Sequence, residues 1–144
     1  MEYILENIPA YQKANYELEQ LSQQYQKAIE AKAKEAETLY MAYQKNAGSL
    51  NASQRTQKEE AIVAKEKEVA ELRKRYFGPE GEMAQKQETL IAPIQDKIYE
   101  AVKQISQQKG YDAVIDRASA TSIIFASPRI DISNDILSIL GYSK

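Results

Sequence analysis

From Ala10 to Ala47 the chain runs without a proline or a glycine, and its apolar side chains recur three or four residues apart. Tyr11, Ala14, Leu18, Leu21, Tyr25, Ile29, Ala33, Ala36, Tyr40 and Tyr43 make up that series. Only an α-helix collects side chains at this spacing on one stripe. The stretch predicts a single helix of about 36 residues, roughly 54 Å long, with Pro9 suited to its first turn. The stripe is narrow and the other faces are polar, so the helix needs a partner helix rather than a surrounding core. Successive four-residue steps through Leu21, Tyr25, Ile29 and Ala33 shift the repeat away from 3.5 residues per turn and relax the left-handed supercoil there.

The partner follows directly. Asn46-Ala47-Gly48-Ser49-Leu50-Asn51 breaks the period, and Asn51 with Gln54 three residues on reads as a capping box. The second helix carries Ile62, Val69, Leu72 and Tyr76 at seam spacing. A short polar turn between two such helices predicts an antiparallel hairpin. Its far end, from Gln44 to Ala61, has almost no large apolar residue and is expected to fray. Phe77-Gly78-Pro79-Glu80-Gly81 then interrupts the returning helix, because glycine and proline both disfavour helix interiors. Gly78, Pro79 and Gly81 therefore mark either a hinge or a static kink. The period resumes through Met83, Gln87, Leu90, Ile94, Ile98, Ala101 and Ile105, with a mild bend expected at Pro93 and a C-cap at Gly110.

Apolar density divides the chain. Leu, Ile, Val, Met and Phe make up 10 of the 65 residues from Gln12 to Tyr76, but 19 of the 68 from Phe77 onward. This predicts a helical-hairpin arm over 11–76 and a packed body from 1–10 and 77–144. In the body, Tyr111–Asp116 and Ser122–Ala126 read as two β-strands joined by a polar turn. A helix opening near Ser133, its expected N-cap, would bury Ile136, Leu137, Ile139 and Leu140 and end at Gly141. A two-stranded hairpin is not stable alone in water, and the only other strand candidate is the short Tyr3-Ile4-Leu5. The missing partners are expected from other copies of the chain, with Val114, Ile115, Ile123, Ile124 and Phe125 as the oligomerisation residues. The fold class read here is mainly α with a small β body: a long coiled-coil hairpin plus strands that complete a barrel between subunits.

Composition removes several function classes. The chain has no His, Cys or Trp, so disulfides, thiol nucleophiles, Cys/His zinc sites and His-based acid–base schemes are excluded. A formal charge of −2, from 19 basic and 21 acidic residues, argues against nucleic acid. No apolar run approaches the roughly 20 residues of a membrane span. The Gly-Pro-Glu-Gly stretch lacks the ending of a phosphate loop, and Asp112 and Asp116 lack the ligand density that calcium needs. No enzyme, cofactor, metal or membrane insertion is expected.

Taken in order, Tyr3-Ile4-Leu5-Glu6-Asn7-Ile8-Pro9-Ala10-Tyr11, Phe77-Gly78-Pro79-Glu80-Gly81-Glu82, Pro93-Ile94-Gln95-Asp96-Lys97-Ile98, Lys109-Gly110-Tyr111-Asp112 and Asp131-Ile132-Ser133 leading into Ile136-Leu137 resemble the Skp/OmpH family of periplasmic chaperones. The resemblance covers essentially the whole chain. It implies a homotrimer with a small β-barrel body and three helical arms around a cavity, holding unfolded outer-membrane proteins without ATP in the periplasm. The family pattern also has a secretion signal and a first strand ahead of the Tyr-Ile-Leu segment. Their absence here makes Met1 read as an internal methionine of a longer precursor or as an artificial start, with each subunit one strand short. Known members are strongly basic, unlike this chain, so no lipopolysaccharide site is assigned.

A holdase needs dispersed, adaptable apolar contacts, and tyrosine supplies a large amphipathic ring at low entropic cost. The candidate client-binding residues are Tyr25, Ile29, Leu39, Tyr40, Met41, Tyr43 and Ile62. The competing reading is that those at seam spacing zip the two helices together; Leu39 and Met41 fall off the main seam. Lys27, Lys32, Lys34, Lys45, Arg55 and Lys58 either attract acidic clients or form a solvated face interleaved with glutamates. The alternative function is a structural coiled-coil adaptor or spacer recognising a specific partner.

Overall fold

The computed structural model describes residues 1–142, and the last two residues of the expected body, Ser143 and Lys144, lie outside it. The described chain is mainly helical, in the order α1 (Glu2–Glu6), α2 (Pro9–Asn46), α3 (Ala52–Phe77), α4 (Glu82–Lys109) and α5 (Ser133–Ile139). Helix α2 begins on Pro9 and spans 38 residues, as the uninterrupted seam requires. The chain forms two compact units: Leu18–Lys86, and Met1–Glu17 with the segment from Gln87 onward.

The first unit is the helical hairpin. A short 3₁₀ turn, Ala47–Ser49, reverses the chain. The capping box then starts α3: the Asn51 side chain accepts from the Gln54 amide at 2.8 Å, and the Asn51 amide donates to the Gln54 side chain at 3.1 Å. Ile29 and Ala36 of α2 and Ile62 and Val69 of α3 are buried along the seam. Helix α3 ends at Phe77, where Gly78 turns outward into extended backbone while its amide still donates to the Lys74 carbonyl at 2.9 Å. No side chain fits at either glycine of this break. A Cβ on Gly78 would lie 2.3 Å from the Lys74 carbonyl oxygen, and one on Gly81 would lie 2.8 Å from that of Arg75. The interruption is a tightly packed turn.

The second unit is built on α4. Ile91, Ile94, Ile98, Ala101 and Ile105 recur every three or four residues and are buried, Ile98 completely. Ile91 takes a core place where the sequence period had pointed to Gln87 and Leu90; Gln87 is exposed and Leu90 half-buried. Pro93 sits on an exposed face within the continuous helix. Helices α1 and α5 pack together, contributing Ile4 and Leu5 from one and Ile136 and Leu137 from the other to the core. The Tyr3 hydroxyl donates to Asn134 Oδ1 at 3.1 Å between them. Both glycine C-caps form: Gly110 and Gly141 have φ of 71° and 82°. The amides that follow reach back five residues, Tyr111 to the Ser106 carbonyl and Tyr142 to that of Leu137.

Three local expectations are corrected. Tyr3-Ile4-Leu5 is helical, not a strand, because the first turn of a helix lets Ile4 and Leu5 share one buried face against α5. Helix α5 is started by Asp131, whose Oδ1 accepts the Ser133 amide at 2.9 Å, so Ser133 is its first residue rather than its cap. Tyr111–Asp116 and Ser122–Ala126 form no hairpin: among the described residues there is no strand. The link between them folds instead onto Asp116, whose carbonyl accepts from Ser119 and Ala120 and whose carboxylate accepts from Ala118. The physical reason is the one that makes isolated hairpins marginal, since two strands alone leave an edge and an apolar face open. Ile124 is 100% exposed, Phe125 81% and Ile115 64%, while Val114 is exposed and Ile123 half-buried.

Candidate functional site

The hairpin concentrates the candidate contact residues. Its antiparallel register sets Tyr25 opposite Tyr76, Glu35 opposite Lys65 and Tyr43 opposite Glu59. Heptad spacing puts Ile29, Ala36 and Tyr43 on the seam line of α2, and Ile62, Val69 and Tyr76 on that of α3. Ile29 and Ile62 are buried there and hold the two helices together. The Tyr43 hydroxyl donates to Glu59, which raises the Tyr43 phenol pKa. Leu39 is half-buried, whereas Tyr40 and Met41 are exposed, at 48% and 61%. Tyr40 thus lies beside the seam, although its spacing had placed it within.

At the root of the hairpin Tyr25 stacks flat on Tyr76, ring centroids 3.9 Å apart, and meets Phe77 edge-on at 6.2 Å. Its hydroxyl donates to Glu82 Oε2 at 2.6 Å, while Arg75 Nε donates to Oε1 of the same carboxylate at 2.6 Å. Glu82 therefore ties the first turn of α4 to both α2 and α3. The tyrosine hydrogen bond and then the arginine hold the Glu82 carboxyl below the usual range. The same hydrogen bond, reinforced by burial, pushes the Tyr25 phenol up, and the carboxylate raises Arg75. Tyr25 is thus a structural clasp as well as a seam residue. Sequence reasoning missed Glu82 because no local period links it to Tyr25; only the turn at Gly78–Gly81 brings them together.

The two flanks of the seam differ. On one, Lys32 pairs with Glu35 at 3.0 Å, Glu35 with Lys65 at 3.3 Å, and Lys65 with Glu68 at 2.8 Å. Lys32 and then Lys65 lower the Glu35 pKa, and Glu68 and then Glu35 raise that of Lys65. These groups are solvated, so the ladder adds little stability and mainly fixes register. On the other flank an open groove of about 390 Å³ is lined by Gln26, Ile29, Glu30, Arg73 and Phe77. Of the basic residues read as an outer-arm set, Lys32 is in the ladder, and Arg55 donates to the Ala47 carbonyl at 3.1 Å in the turn.

A family model described as Outer membrane protein (OmpH-like) matches residues 1–140. The chain belongs to the OmpH-like family. Members of this family are periplasmic chaperones of outer-membrane proteins. No curated protein matches this OmpH-like chain. No helix among the described residues is long and apolar enough to cross a membrane.

Proposed function

We propose that this OmpH-like chain is an ATP-independent holdase that keeps unfolded outer-membrane proteins from aggregating in the periplasm. In this reading three copies assemble through the segments 111–116 and 122–126, which close a small barrel, and the helical hairpins enclose the client. The observation that supports it most is the run of bare apolar side chains at Ile115, Ile124 and Phe125. Nothing among the described residues covers them, and exposed apolar side chains of this kind mark an interaction site. The backbone of the same segments, which lies in no strand, would supply the hydrogen bonds of strand pairing between copies.

The arm supplies the client contacts. Tyr40 and Met41 are available on its surface, whereas Ile29 and Ile62 would become accessible only if the hairpin opened. In this reading the turn through Gly78, Pro79 and Gly81 is a static kink held by the Glu82 clasp rather than a hinge. Sedimentation velocity on the protein, beside light scattering of a urea-diluted outer-membrane β-barrel protein, tests the proposal. A trimer that suppresses scattering without nucleotide is expected, and Ile124→Ser with Phe125→Ser should dissociate it. A monomer that leaves aggregation unchanged would overturn the reading.

A further inference from the structure

We propose that the helical hairpin adapts to a client by opening at its far end, residues 37–61, as one unit, while its root stays closed. The opened stretch is a loop of 25 residues that uncovers Leu39, Tyr43 and Ile62 for the apolar segments of an unfolded chain. The opening stands on the hairpin alone, and its use by clients rests on the holdase reading.

Packing is spread unevenly along the hairpin. At the root Tyr25 stacks on Tyr76, Glu82 accepts from both Tyr25 and Arg75, and neither Gly78 nor Gly81 has room for a Cβ. In the middle Ile29, Ala36, Ile62 and Val69 are buried, and the pairs among Lys32, Glu35, Lys65 and Glu68 fix the register. Beyond Ala36 on α2, and before Ile62 on α3, no residue is buried. Every residue from Asn51 to Ala61 is exposed, so the first turns of α3 bring no buried surface to the hairpin. Facing them, between Glu37 and Asn46, only Leu39 and Tyr43 are even half-buried.

Polar contacts do not make up the difference. The Tyr43 hydroxyl donates to Glu59 across the helices, and Arg55 donates to the Ala47 carbonyl at 3.1 Å within the turn. Among the described residues no ion pair involves 37–61. A helix that is polar all round needs many side-chain pairs to be stable, and most helical stability in proteins comes from packing an apolar face. The pieces 37–46 and 52–61 have neither support, so they open at a free energy far below that of the rest of the hairpin. A three-residue 3₁₀ turn joins them, and each is the other's only neighbour across the seam, so melting of one releases the other. The buried Ala36 and Ile62 stop the opening from running on towards the root.

The change in reach is large. Closed, each piece is about 15 Å of helix at 1.5 Å per residue. Opened, the loop holds up to about 80 Å of chain between its fixed ends. A locked root with a compliant end lets one arm meet client segments of different bulk without losing its own seam.

Hydrogen–deuterium exchange of the full chain tests the opening. Amides of 37–46 and 55–61 are expected to exchange at least about tenfold faster than those of 22–34 and 65–76. Asn51→Ala should speed both far pieces by one common factor of about fivefold, the equivalent of one lost N-cap, and change the root less than about twofold. Equal protection along the whole hairpin, or an acceleration confined to the first turn of α3, would overturn the proposal. The client step is tested on Tyr43→Cys with Glu59→Cys, selective because the chain has no other cysteine. The two thiols are bridged with a short bis-maleimide in one sample and capped singly with N-ethylmaleimide in the other. Bridging should slow exchange of the far end and weaken suppression of barrel-protein aggregation at least about threefold. Slowed exchange with undiminished suppression would overturn the client step. Parent protein that exchanges as expected but never suppresses aggregation would support the opening while refuting the holdase reading.

Discussion

Replacing Gly78 by alanine tests whether the break between α3 and α4 is a packed turn. The backbone there has φ −65° and ψ 166°, which alanine adopts readily, so torsional strain is not at issue. The obstacle is space. The new Cβ would lie 2.3 Å from the Lys74 carbonyl oxygen, about 1.1 Å inside the 3.4 Å at which ordinary contact begins. The atom it strikes is backbone, and it is also the acceptor of the Gly78 amide at 2.9 Å. Relief therefore requires the helix end to move and its last capping hydrogen bond to stretch or break. Loss of that bond costs about 1 kcal/mol and the backbone shift about 1–2 more, giving about 2–3 kcal/mol in all. With a urea slope of about 2 kcal/mol per molar, the unfolding midpoint should fall by about 1 M at fixed protein concentration, read by circular dichroism at 222 nm. Gly48→Ala is the internal control, because a Cβ there meets nothing within 4 Å, and its midpoint should stay within about 0.3 M of the parent. Equal midpoints for Gly78→Ala and the parent would refute the argument from packing and leave the turn free to flex.

Three further outcomes are expected. Ile98→Ala, at a side chain with no exposure, should destabilise the unit around α4 by about 3–4 kcal/mol through lost burial and a residual cavity, measured as a loss of thermal unfolding temperature. Asn51→Ala should cost about 1 kcal/mol by leaving the Gln54 amide uncapped, seen as faster amide exchange in the first turn of α3. The Glu82 clasp should show a pH window in near-ultraviolet tyrosine dichroism. The Glu82 carboxyl is depressed in the fold, so its contribution is intact above the ordinary carboxylate range and is lost as acid takes the pH down through the folded value. Tyr25 is raised, so its contribution is present below the ordinary tyrosine range and is lost as the pH rises through the folded value. Glu82→Gln should abolish the acid limb of that profile, and an unchanged acid limb would show that the clasp does not govern it.

The helical arm was legible because its information is local. A seam at three- and four-residue spacing, an Asn51–Gln54 box and glycines at 110 and 141 specify helix, start and stop within a few residues of themselves, and each forms as expected. Segments whose state depends on distant partners were read less well. Tyr3-Ile4-Leu5 is too short to show a period, and it is helical because Ile4 and Leu5 find α5. The segments 111–116 and 122–126 have strand composition, but a strand exists only with a neighbour to hydrogen-bond, and none of the described residues pairs with either. The contact candidates divide along the same line. Spacing alone could not separate Ile29, buried in the seam, from Tyr40 of the same series, exposed beside it, because which residue of a stripe is covered depends on where the partner helix lies. The sequence by itself determined the three long helices α2, α3 and α4 and the reversal between α2 and α3. Tertiary structure alone decided that Glu82 would reach Tyr25 and Arg75, and that one flank of the hairpin would close on its own ion pairs while the other stayed open. Helical hydrogen bonds close within four residues, whereas side chains far apart in sequence are brought together only when the turn and the seam fix the register between them.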